Sequence, residues 1–211
     1  MKNKLKLTIS SLLFLTVLLL TGCMSSNETI NNWTVHEICG RDTDHGLIYR
    51  IKSPKEWKIV HPEKNEDLSD SKKSVCEFLI QDELGDIKIT IHNFTSKSLE
   101  ERIPPQAQIM RWKNQFEELD NESVTINTQS FAGFTGLLFE ATGKLNGHKQ
   151  TMICWSMQIA KEHYRTLQNE QMKADYTIKI VGFEKVVKDK ITEIIKFARS
   201  FELINEIGYE N

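Results

Sequence analysis

The sequence predicts an α+β fold, a mainly antiparallel sheet on which two amphipathic helices each bury one stripe. Three observations carry this. Short alternating or apolar runs are joined by tight turns, and the clearest is Asn146-Gly147, a dipeptide suited to the positive φ angles of a type I′ hairpin. Strands joined so closely must run antiparallel. Helical apolar spacing occurs twice, once after Pro104-Pro105 and once near the end of the chain.

The elements follow in order. Residues 34–38 alternate and suit a strand-like lead-in. Residues 47–51 are β-branched and aromatic, and Ser53-Pro54-Lys55-Glu56 makes a turn because proline presets φ. An apolar stretch resumes at Trp57, and residues 61–74 form a charged loop. Residues 75–81 and 87–93 read as strands. In the second, Ile87, Ile89 and Ile91 alternate with Lys88, Thr90 and His92, which gives one buried and one polar face. Pro104-Pro105 opens a helix with Ile109, Trp112, Phe116 and Leu119 on one stripe, stopped at Asp120-Asn121. Strands are expected over 124–129, 134–142 and 150–159, a further one around 163–167, and a last one over 176–181. A helix over 184–201 carries Val187, Ile191, Ile194, Ile195, Ala198 and Phe201.

The amino terminus is of another kind. Lys2, Lys4 and Lys6 precede an apolar run, residues 12–20, that is short for a span of about 30 Å of hydrocarbon. Leu20-Thr21-Gly22-Cys23 follows. This resembles the lipobox of bacterial lipoproteins, and the resemblance implies cleavage before Cys23 and a diacylglyceryl thioether on its sulfur. Each buried methylene contributes about 0.8 kcal/mol, so two or three acyl chains anchor stably where one does not. The expected organisation is a signal peptide over 1–22, a lipidated tether and lead-in over 23–44, one domain over 45–203 and a tail over 204–211. Met24 rather than aspartate after Cys23 resembles the sorting pattern for an outer membrane facing the periplasm, if the source has two membranes.

Composition narrows the partners. The chain has 27 basic and 29 acidic residues. Loss of residues 1–22 removes three lysines and no acid, which leaves a mildly acidic protein. That argues against nucleic acid as a partner. Only four prolines and ten glycines argue against a disordered stalk.

Beyond Cys23 there are Cys39, Cys76 and Cys154. An exported compartment permits disulfides, and an odd count leaves one thiol over. Cys39 with Cys76 is the candidate disulfide. Cys154 lies in an apolar strand and reads as a small core residue. No CxxC pair and no zinc spacing occurs, and none of the six histidines lies in HExxH form. No metal or cofactor is expected. His45 beside Asp42 and Asp44 reads as a solvated loop. Residues 131–136 contain glycines but neither GxSxG nor a phosphate loop, so they read as a hairpin corner. Trp57, Trp112 and Trp155 fall at core positions. Two places suit Trp33, the lipid headgroups or the domain surface.

One resemblance spans most of the domain. Ser53-Pro54-Lys55-Glu56-Trp57 after a strand, a middle amphipathic helix, a long antiparallel meander and a closing helix ending Ala198-Arg199-Ser200-Phe201 together resemble the PsbP-like superfamily, over about residues 45–203. The resemblance implies an α/β/α sandwich around a central antiparallel sheet. It implies no single activity and carries over no catalytic residue. The expectation is a non-enzymatic, lipid-anchored binding or adaptor domain with the membrane, and an envelope protein, as partners. The alternatives are an envelope enzyme of thiol or hydrolase type using Cys154 or Cys76 with a histidine, and a carrier of a small apolar ligand between sheet and helix.

Overall fold

The computed structural model describes residues 32–40, 47–61, 73–96, 100–160 and 174–204. The expected signal segment, Cys23, the expected tether up to residue 31, most of the charged loop, the strand expected around 163–167 and the tail after 204 lie outside the described residues.

Eight strands form the main sheet: β3 (Lys58–Val60), β4 (Cys76–Ile80), β5 (Ile87–Phe94), β6 (Glu118–Leu119), β7 (Thr125–Phe131), β8 (Phe134–Leu145), β9 (His148–Ile159) and β10 (Asp175–Phe183). Their spatial order is β3-β4-β5-β10-β9-β8-β6, with β7 also on β8, and every pairing is antiparallel. Two-residue turns close the β7–β8 and β8–β9 hairpins. Ala132 and Gly133 have φ of 49° and 80°, and Asn146 and Gly147 have 50° and 79°, as the type I′ geometry requires. A second sheet holds β1 (Trp33–Cys39), β2 (Leu47–Pro54) and β11 (Glu202–Leu203), again antiparallel.

Side chains alternate across the main sheet, so each face has its own apolar cluster. On one face Phe139, Ala141, Met152 and Cys154 pack against Ile109 and Trp112 of α1 (Pro105–Lys113). On the other, Ile153, Trp155, Ile178 and Ile180 join Val187, Ile194 and Phe197 of α2 (Glu184–Arg199), together with Ile38, Tyr49 and Ile51 of the small sheet. The layers therefore run α1, main sheet, then α2 with the small sheet. This is the expected α/β/α sandwich, with one sheet added.

The domain starts earlier than residue 45. Trp33 pairs with Pro54 at the head of β1, and Ile38 is fully buried. Residues 33–39 are thus an edge strand of the fold, as the alternation over 34–38 suggests, and the domain includes it. Trp33 docks on the domain, with the Lys196 ammonium 4.4 Å from its ring centre.

Helix α1 ends at Lys113, short of the expected stop at Asp120. The Asn114 N–H caps it by donating to the Met110 carbonyl. The chain then turns so that the Glu117 N–H reaches the Lys144 carbonyl at 2.9 Å and β6 pairs with β8. Gly143 permits this approach, because a Cβ there would lie 2.4 Å from the Glu118 carbonyl oxygen. Phe116 and Leu119 still pack on the α1 cluster, but from a turn and a strand. On α2 the buried stripe includes Phe197, against Trp57 and Phe78 at 5.1 and 5.0 Å, while Ile195 faces outward.

Cys39 and Cys76 are free thiols, so the candidate disulfide is not formed in the structure. The two belong to different sheets. Cys39 ends the exposed edge strand β1 past a register shift, and Cys76 is buried in β4.

Candidate functional site

Helix α1 is nine residues long and packs mainly on β8 and β9. Among the described residues no helix covers the rest of that sheet face. One row of residues crosses it by strand register: Val60, Glu77, Thr90, Lys179, Cys154, Phe139 and Ile126. The row changes character where α1 begins. Glu77, Thr90 and Lys179 are polar, whereas Cys154 and Phe139 are buried beneath the helix. The neighbouring rows behave alike, with Lys88 and His92 on β5 at the polar end.

This bare half-face is the floor of an open depression of about 760 Å³. Three lysines (Lys73, Lys88, Lys179) line it against two carboxylates, Glu77 and Asp86, with Thr90, Gln150 and Asn146 as neutral donors and acceptors. Lys88 pairs with Glu77 at 2.9 Å, and the Ser74 hydroxyl donates to the same carboxylate at 2.9 Å. Lys179 stands apart. It is half-buried, its Nζ donates to Gln115 Oε1 at 2.7 Å, and among the described residues no carboxylate lies within ion-pair distance of it. Burial pushes its ammonium below the usual lysine range, and Lys88 pushes the same way. An ammonium held there with only an amide oxygen as partner suits a bound anion.

The thiols are unsuited to catalysis. Burial pushes the Cys76 thiol up to about 12 and raises that of Cys154 further. A thiol held protonated at neutral pH is a poor nucleophile, which argues against Cys154 or Cys76 as the nucleophile of the expected thiol-enzyme alternative. Among the described residues no three His, Cys, Asp or Glu side chains gather as a metal site. His45, Asp42 and Asp44 lie outside them. The glycine-containing segment after Phe131 is the β7–β8 hairpin corner, and Trp57, Trp112 and Trp155 are buried, as expected.

Sequence reasoning placed Lys88, Thr90 and His92 on a polar strand face but did not single out Lys179 or Gln115. The missing fact was that β10 lies beside β5, which puts Lys179 opposite Thr90.

No protein-family model matches the chain, and no curated protein matches it either. Among solved structures, a layered antiparallel sheet of this kind has a counterpart. The fold is similar to that of LpqN. That Mycobacterium tuberculosis protein, described as involved in cell envelope biogenesis, aligns with a TM-score of 0.52 and 10% identity, over 85% of this chain and 99% of LpqN. Cyanobacterial PsbP (CyanoP) from Synechocystis sp. PCC 6803 aligns with a TM-score of 0.49 and 14% identity, over 87% of this chain and 99% of its own.

Proposed function

We propose that this chain is an exported binding domain, acylated at Cys23, which holds an anionic group of an envelope partner on its bare half-sheet. The observation that carries the reading is Lys179, a half-buried ammonium facing an open depression with an amide as its partner. Desolvating a lysine costs stability, and a binding role is a physical reason to keep one there.

The anchor rests on the lipobox at Leu20-Thr21-Gly22-Cys23. It places the domain close to a bilayer on the exported side, facing the periplasm from the outer membrane where there are two membranes. The part of LpqN in cell envelope biogenesis agrees with that address. The carrier reading is less favoured, because aromatic rings fill the space between sheet and α2. The Tyr176 and Phe201 rings lie tilted to each other with centroids 4.0 Å apart, and Phe134 meets Tyr176 edge-on at 4.8 Å.

Two arms test the reading. Fatty-acid labelling of the full chain should mark the wild type and not Cys23→Ser, which should leave the membrane fraction; equal behaviour of the two removes the anchor. A photo-crosslinking residue at Thr90 should give an adduct in intact envelopes that Lys179→Met abolishes, and one at Lys190 on α2 should give none. Adducts indifferent to Lys179→Met count against the site.

A further inference from the structure

Among the described residues the edge strands β3, β6 and β1 are guarded, β11 is only two residues long, and β7 is left open. β3 is three residues long and starts with Lys58, β6 is two residues long and starts with Glu118, and β1 carries Glu37 and a register shift at Ile38/Cys39. Short length, charge and bulges are the usual defences against edge-to-edge pairing. β7 has none of them. Its seven residues, Thr-Ile-Asn-Thr-Gln-Ser-Phe, include no charge and no proline, its register with β8 is unbroken, and five of the seven are exposed.

The hairpin fixes which backbone groups face outward. Phe131 and Phe134 close the two-residue turn and exchange hydrogen bonds, so Gln129, Asn127 and Thr125 also bond to β8. The facing edge of β8 agrees, since its Thr142 and Lys144 carbonyls point to the β7 side and accept from the Asp120 and Glu117 N–H groups. The N–H and C=O groups of Ile126, Thr128 and Ser130 therefore point away from the sheet, and among the described residues they have no partner.

We propose that β7 is a self-pairing edge, joined antiparallel to β7 of a second copy about a two-fold axis at Thr128. In that register Thr128 faces its own copy and Ile126 faces Ser130, so each outward N–H meets an outward C=O. The three outward residues of one strand satisfy the three of the other. Asn127 meets Gln129, an amide pair, and no like charges are brought together. This self-complementarity is what a two-fold contact requires. The main sheets of the two copies become continuous.

Native mass spectrometry of the full chain released from detergent micelles tests this, with two charge variants. The wild type should give dimers. Thr128→Lys and Thr128→Glu each place like charges on the axis and should weaken the dimer about tenfold or more while keeping the wild-type circular dichroism of the folded monomer. Mixing the two variants should restore dimers that hold one chain of each. A wild type that is monomeric, or dimers unaffected by either substitution, overturns the proposal and leaves the edge to a strand of another protein or the dimer to another surface.

Discussion

The Lys179 ammonium donates to the Gln115 carboxamide at 2.7 Å, bridging β10 to the turn that follows α1. The bridge sits where the helix-covered half of the sheet face ends and the bare half begins. Burial lowers the lysine, so the folded chain releases that proton before the unfolded chain does. Stability at this position is therefore lost at neutral pH and returns as pH rises through the folded value toward the unfolded one. Lys179→Met should keep or raise the melting temperature at pH 7, with the difference from wild type shrinking in alkali. Thermal melts from pH 7 to 10 check this.

His36 should make the domain acid-sensitive. The Ser53 hydroxyl donates to the Pro54 carbonyl at 3.1 Å and so accepts from His36 Nε2–H at 3.0 Å, which places a proton on Nε2 in either charge state of the ring. Burial, with His61 adding to it, holds His36 below the ordinary histidine range. The unfolded chain then protonates first. Stability present above the ordinary value is lost as pH falls through the folded one. Melts between pH 7 and pH 5 should show a shallower decline for His36→Gln, which keeps a donor and does not titrate.

Arg102 clamps the β9–β10 end of the sheet. Its Nε and one terminal nitrogen meet the Asp175 carboxylate at 2.6 and 2.5 Å, both side chains are nearly buried, and the Ile159 N–H donates to the same carboxylate at 3.1 Å. Burial raises the Asp175 carboxyl, although Arg102 pulls it down. Arg102→Met should cost about 3–5 kcal/mol at pH 7, because it strands a buried carboxylate. In the variant the folded carboxyl rises further above its unfolded value, so the folded chain binds the proton first and the deficit narrows as pH falls through that value. Denaturant midpoints at pH 7 and pH 4.5 measure it.

The thiols should separate by burial. Cys39 is exposed, and Cys76 and Cys154 are buried. A maleimide added to the folded chain should label Cys39 within minutes and reach Cys76 and Cys154 only after denaturation. Peptide mapping reads the sites.

Local chemistry was legible in the sequence, and non-local neighbours were not. Asn146-Gly147 announces its hairpin because a type I′ turn is decided by two residues, and Pro104-Pro105 marks the start of α1 for the same kind of reason. The spacing of Ile109, Trp112, Phe116 and Leu119 fits a helix, but it also fits a helix, turn and strand converging on Trp112, and pairing with β8 decides between them. Lys179 and Thr90 are neighbours only because β10 inserts between β5 and β9, and nothing within either segment records that. Which sheet holds Cys39 and which holds Cys76 is likewise a tertiary fact that their spacing does not record.

The central claim is that the bare half-sheet binds anions through Lys179. Isothermal titration calorimetry on the full chain in neutral phosphatidylcholine vesicles tests it most directly, with a short polyglutamate peptide as probe and a polylysine peptide as control. The account predicts saturable heat with polyglutamate, at least tenfold weaker binding for Lys179→Met, and none with polylysine. Equal affinity of wild type and Lys179→Met for polyglutamate, or no binding by either, would contradict it.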